Sequence, residues 1–235
     1  MYSWQEVWEF SQPLTAKPGE MANDEVVTFR PMSLLPVIIW DKEARARRVV
    51  KMRWGFPHRS NPMSPEPIHA RSESIDEKQT FKQAFLDGQR GIVLMRTFNE
   101  GEEVPTKTGK TKTEQWTVDP GDGVMRGFAF LWRRFDIGGL PAPLLACVMV
   151  TVPASKLVRT IMENQDDPRM PAILENEDWA TWLGENGATP DQAKSALKTM
   201  EDVNWQMMKE PKKPKPPKEP KPANPKKAAP EPGLF

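Results

Sequence analysis

Arg169 stands between Pro168 and Met170-Pro171. Two prolines this close forbid a helix and hold the backbone extended and stiff. An arginine on such a segment can present its planar fork to a phosphate, or pair with a carboxylate such as Glu73. Arg71, in His69-Ala70-Arg71-Ser72-Glu73, follows a proline-rich stretch and precedes a helical pattern. Amides at a helix start also favour anions, so the same two readings apply. Trp54 follows Arg53 at the end of an apolar run. It is either core or a platform on which a nucleobase stacks. Glu100 closes the run Val93–Asn99, where a glutamate marks the turn into Gly101-Glu102-Glu103. Asp167 lies two residues before Arg169, and if it shares a small site with Glu100, one of the two carboxyl pKa values is raised.

Other chemistries are poorly supplied. With one cysteine, Cys147, there is no intrachain disulfide and no cysteine-cluster metal site. Cys147 lies in the apolar run Leu144–Val152 and reads as a buried, inert side chain. Two histidines, His58 and His69, are too few for a zinc site, and neither a metal nor a cofactor is expected.

The elements that position these residues follow from the pattern. Residues 34–40 and 48–54 read as strands joined by the charged turn 41–45, a hairpin. Prolines at 57, 62, 65 and 67 make residues 57–67 an irregular loop. Residues 74–85 read as a helix with an apolar stripe of Phe81, Ala84 and Phe85, its start marked by a Ser74–Glu77 capping box. Strands are expected at 91–98, 115–118, 127–132 and 144–152, with a hairpin turn at 107–112. Short helices are expected at 153–162, 176–184 and 190–200, and Trp4, Val7 and Trp8 fall at helical spacing near the N-terminus. Short antiparallel strands interrupted by helices give an α+β fold, a bent, partly closed and mainly antiparallel sheet flanked by short helices.

A chain of 235 residues suits one domain, residues 1–208, with an appendage at 209–235. The appendage holds eight lysines and three glutamates, +5 of a chain total of +1, which leaves −4 on the body. A broadly basic nucleic-acid surface is thereby excluded, and any such contact must be a local groove lined by a few arginines. Proline and lysine dominate the appendage, so a polyproline II tether is expected, ending in Pro232-Gly233-Leu234-Phe235. No signal pattern or membrane-length apolar run is present, and a cytoplasmic, nucleoid-associated monomer is expected.

Five segments, in order, carry a resemblance. Met52-Arg53-Trp54-Gly55-Phe56, His69-Ala70-Arg71-Ser72-Glu73, Thr97-Phe98-Asn99-Glu100, Gly127-Phe128-Ala129-Phe130-Leu131-Trp132 and Asp167-Pro168-Arg169-Met170-Pro171-Ala172-Ile173-Leu174 resemble segments of the SOS-response-associated peptidase family, the abasic-site-processing proteins. That family runs M-R-W-G-L, N-A-R-S-E, G-F-Y-E-W, A-F-A-G-L-W and H-x-R-M-P-V-I-L. Its acidic-aromatic helix is similar to Asp178-Trp179-Ala180-Thr181-Trp182-Leu183. The resemblance implies the same α+β architecture, binding of single-stranded DNA, and covalent trapping of abasic sites after self-removal of the initiator Met. It implies phosphate contacts from Arg71 and Arg169, with Arg53 beside them, stacking on Trp54, core packing of Trp132, and acid–base catalysis by Glu100.

Three positions depart from the family pattern. His69 stands where the family has a sugar-binding asparagine, and Asp167 where it has a histidine. Tyr2 stands where it has the cysteine nucleophile, so catalysis is expected to be lost or altered while the DNA groove remains. Met1-Tyr2-Ser3 also resembles a Met-Cys-x-x-Tyr-Ser start lacking its first three residues, and a chain without that cysteine is expected to give no denaturation-resistant adduct. A rival expectation is a non-enzymatic adaptor whose Leu234-Phe235 end docks a replication sliding clamp.

Overall fold

The structure is a computed structural model, and it describes residues 28–62, 64–120 and 124–211. The expected N-terminal helix, Tyr2, and the tail with Leu234 and Phe235 lie outside the described residues. No helix among the described residues is long and apolar enough to cross a membrane.

Strand β1 (Leu34–Asp41) and β2 (Ala46–Trp54) form the expected hairpin, in register from Leu34↔Arg53 to Asp41↔Ala46. Its turn is fixed locally, because the Asp41 carboxylate accepts the backbone N–H groups of Glu43 and Ala44. A ring of five strands follows from the pairings. β1 pairs antiparallel with β4 (Arg90–Met95), β4 with β7 (Arg126–Phe135), β7 with β8 (Leu144–Pro153), and β8 returns to β2 in parallel. β3 (His69–Arg71), β9 (Arg169–Pro171) and β10 (Ile173–Leu174) extend this sheet. The mainly antiparallel, bent α+β architecture is thus the expected one, with the five-strand ring joined all the way round where partial closure was expected.

β8 is the hub, with pairing partners in β2, β3, β7 and β9. Its residues 146–152 are all buried, which explains why it reads as a continuous apolar run rather than an alternating one. Cys147 sits in it, fully enclosed, and burial pushes its thiol pKa far up, as expected of an inert cysteine.

A second sheet is formed by β5 (Phe98–Pro105), β6 (Thr111–Asp119) and β11 (Gln206–Lys209). β5 and β11 were not expected. The apolar run at 91–98 stops at Met95, and the chain turns and starts a new strand at Phe98. Pairing continues beyond β11, where the Glu210 N–H donates to the Gln115 carbonyl.

Helix α1 (Gln79–Leu86) buries the expected stripe of Phe81, Ala84 and Phe85. Its expected start at Ser74 is corrected. Ser72–Ser74 form one 3-10 turn, and the N-cap is Lys78 without a side-chain cap. The Ser74 carbonyl accepts from the N–H groups of Glu77 and Lys78, so a backbone turn takes the place of the capping box. α2 (Lys156–Arg159) is capped by Ser155. α3 (Trp179–Leu183) ends on left-handed Gly184, and α4 (Pro190–Ser195) starts on a Thr189–Gln192 capping box. The two tryptophans of α3 seat on glycines of adjacent strands. Trp182 donates to the Gly91 carbonyl at 2.9 Å, and a Cβ on Gly127 would come within 2.7 Å of the Trp179 ring.

Candidate DNA-binding site

Strand register places the candidate residues. Residues paired across neighbouring strands point to one face, and so do residues two apart. On β8 the series Cys147, Met149, Thr151 defines a face. Trp54 pairs with Cys147, His69 with Met149, and Arg71 with Thr151. On the other edge Pro171 pairs with Thr151 and Arg169 with Pro153. Trp54, His69, Arg71 and Arg169 therefore share one face, with Arg71 and Arg169 at the C-terminal end of β8 and Trp54 nearer its middle. Arg53 does not. It pairs with Ala146 and points the other way. It is 8% exposed, donates from Nε to the Gly55 carbonyl at 3.2 Å and from Nη1 to the Pro62 carbonyl at 2.8 Å, and so pins the proline loop. Alternation along a strand already says that Arg53 and Trp54 cannot share a face, and that signal lay in the sequence.

The two arginines meet at Asp167. Arg71 Nη1 lies 2.8 Å from Asp167 Oδ2, and Arg169 Nη1 lies 3.7 Å from Asp167 Oδ1. Asp167 thus faces guanidinium groups. Arg169 is held from behind by Glu73, as one of the two sequence readings anticipated. Its Nη1 and Nη2 donate to the two Glu73 oxygens at 2.8 and 2.6 Å, and Nη2 also donates to the Thr151 carbonyl at 2.9 Å. The Arg169 hydrogen bonds hold the Glu73 carboxyl below its usual range, against partial burial. Lys194, on α4, donates to the Glu73 carbonyl at 3.1 Å and to Asp76 at 2.6 Å. Nothing local in the sequence marks Lys194, because its partners lie more than a hundred residues away.

Trp54 is 9% exposed. Its indole N–H donates to the Ile68 carbonyl at 3.1 Å, and its ring meets Phe130 edge-on at 6.2 Å. Little of the residue is open to solvent. It backs His69, whose ring centroid lies 6.4 Å away. His69 is open at its rim, yet the packing around it holds its pKa below the ordinary value through desolvation, which favours neutral imidazole. Trp132, which pairs with Cys147, packs partly buried against the core.

Glu100 lies within β5, not at the end of the preceding strand. It shares a face with Phe98 and with Trp116, its register partner on β6. Phe98 packs on Phe128 at 6.2 Å, and Phe128 is two residues from Phe130 on β7. Glu100 thus sits where the apolar face of the small sheet gives way to charge. Burial there pushes its pKa up to about 7, while the Gly101 N–H pulls the other way. The loop carrying Asp167 touches this strand, because the Asn164 amide donates to the Glu103 carbonyl at 3.3 Å. No cluster of residues able to hold a metal occurs among the described residues.

A bent barrel with two arginines at one strand end and a desolvated glutamate on an adjoining sheet defines a class. The family model of the SOS response associated peptidases (SRAP) matches residues 5–212, and the chain belongs to that family. It is 28% identical over 160 residues to the abasic site processing protein YobE of Bacillus subtilis, covering 64% of this chain and 65% of that one. It is 27% identical over 198 residues to the abasic site processing protein HMCES of Xenopus tropicalis, covering 74% of this chain and 57% of that one. The matched part therefore spans less than two thirds of either relative's length. Among solved structures, a protein from Bacteroides thetaiotaomicron matches with a TM-score of 0.71 and 16% identity over 88% of each chain. A protein from Bordetella bronchiseptica matches with a TM-score of 0.67 and 20% identity over 90% of this chain and 97% of that one. These likenesses show the fold.

Proposed function

We propose that the protein binds single-stranded DNA at abasic sites, with Arg71 and Arg169 holding the phosphate backbone. What carries the reading is the convergence of these two arginines, from separate strands, on one face at the end of β8. Family membership and the names of the relatives support the abasic site as the substrate feature. A body of net charge −4 cannot attract DNA broadly, so affinity must come from this local pair and from the lysines beyond it.

His69, neutral and open at its rim, hydrogen-bonds the sugar's free hydroxyl where a base is missing. Trp54 supports it from behind, and little of the residue is open for stacking. Glu100 is the acid–base group. With a pKa of about 7 it holds or releases a proton near neutral pH, which suits transfer to and from a sugar aldehyde's oxygen. Asp167, facing two guanidinium groups, belongs with the arginine pair rather than with proton transfer.

The test is a comparison of strands. A labelled single strand carrying one abasic site should bind at least about tenfold more tightly than the matching duplex, and more tightly than the intact single strand. Equal affinity for single strand and duplex would remove the reading.

A further inference from the structure

Asp167 bridges the two arginines in a way an ordinary surface ion pair does not require. Each of its oxygens faces a different guanidinium, Oδ2 toward Arg71 and Oδ1 toward Arg169. The non-bridging oxygens of a phosphodiester would be divided in the same way. The two arginines are not anchored alike. Arg169 is 15% exposed at its side chain and fixed by Glu73 and the Thr151 carbonyl. Arg71 and Asp167 are each about half exposed, 56% and 48%. An ion pair this open to solvent is weak and easily exchanged, whereas a phosphate reached by the Arg71 fork and by Arg169 Nη1 accepts charge-assisted hydrogen bonds from both and is held more strongly.

We propose that Asp167 is a built-in competitor for the DNA phosphate, occupying both arginines in the free protein and giving them up when a strand binds. This rests on the DNA-binding reading above and adds its regulation. In the exchange Arg169 stays in place, because Glu73 and Thr151 hold it from behind. Arg71 changes partner, from carboxylate to phosphate. Asp167 swings to solvent, where its half-exposed position already leaves room. The carboxylate keeps Arg71 ordered and aimed before DNA arrives. It also lowers affinity for any backbone whose phosphate cannot reach both arginines at once, which raises selectivity at the cost of binding strength.

The exchange is tested on the full chain with a labelled oligothymidylate carrying one tetrahydrofuran abasic analogue. Asp167→Asn keeps the shape and removes the charge. It should bind about fivefold more tightly at low salt, with the gain shrinking as salt rises. Asp166→Asn, the adjacent exposed carboxylate, makes the same change in net charge and should gain much less. In an Arg71→Ala background the gain from Asp167→Asn should largely vanish. If Asp167→Asn binds no better than the parent while Arg71→Ala and Arg169→Ala both weaken binding, the competitor is overturned and the DNA-binding reading stands. An equal gain from Asp166→Asn, or an undiminished gain without Arg71, overturns it too by assigning the effect to overall charge. If no variant changes binding, both readings fall.

Discussion

Glu100 joins a structural cost to a functional use. A carboxyl whose pKa is about 7 in the folded protein, against an ordinary 4.5, binds its proton more tightly when folded than when unfolded. Between those values the folded state carries more protons, so stability falls as pH rises from about 4.5 to 7 and is flat above. The loss is on the order of 3 kcal/mol at most, from about 1.4 kcal/mol per unit. Glu100→Gln removes the ionisable group and keeps the shape. The variant should melt several degrees higher than the parent at pH 8 and about the same at pH 4. Thermal melts across this range check it, and an unchanged melting temperature at pH 8 would mean Glu100 is solvated. Glu73 has the opposite sign. Its lowered pKa means that the contact with Arg169 supports the fold above its unfolded pKa and is lost as pH falls through the folded value. The Glu73–Arg169 pair was one of the two readings the sequence allowed, whereas the surroundings of Glu100 were not legible, because Trp116 reaches it only through the pairing of β5 with β6.

At the scale of elements, the site depends on how the chain leaves β2. Gly55 follows Trp54 with a φ of +105°, and its N–H donates to the Cys147 carbonyl at 2.7 Å. A Cβ there would lie 2.4 Å from Pro65 Cβ, inside the loop that leads to His69 and Arg71. Both the backbone conformation and the space demand glycine. Gly55→Ala should lower stability by about 2–4 kcal/mol and weaken DNA binding beyond that loss, because β3 is displaced. Denaturant melts alongside binding check this, and a variant as stable as the parent would contradict the packing. The β1–β2 hairpin, β7, β8 and the α1 stripe were legible, since their apolar patterns are long and their turns are local. β5 and β11 were not. β5 carries three glutamates and a glycine among eight residues, and β11 is four residues long with one half-buried position, so only pairing with β6 makes either a strand. The capping box at Ser74 failed for the same kind of reason, since burial of Ser72 and Ile75 fixes a tighter turn before α1 can begin.

At the scale of the molecule, the closed ring turns one hub strand into a meeting place. β8 takes β3 on one edge and β9 on the other, so arginines distant in sequence reach the same face. The five ordered segments made the family and the fold legible, and the arginine pair with them. What the segments do not carry is the place of Asp167 between the arginines, which needs the register of both strands. The central claim is that these two arginines contact DNA phosphates, and the salt dependence of single-strand binding by the Arg71→Ala/Arg169→Ala variant tests it most directly. Each phosphate contact adds about 0.7 to the slope of log affinity against log salt on a single strand. With both arginines on one phosphate, the variant's slope is shallower than the parent's by at least about 0.7, and its affinity at low salt is at least about tenfold lower. An unchanged slope and affinity would contradict it, and would place the whole of the binding on the lysines beyond residue 211.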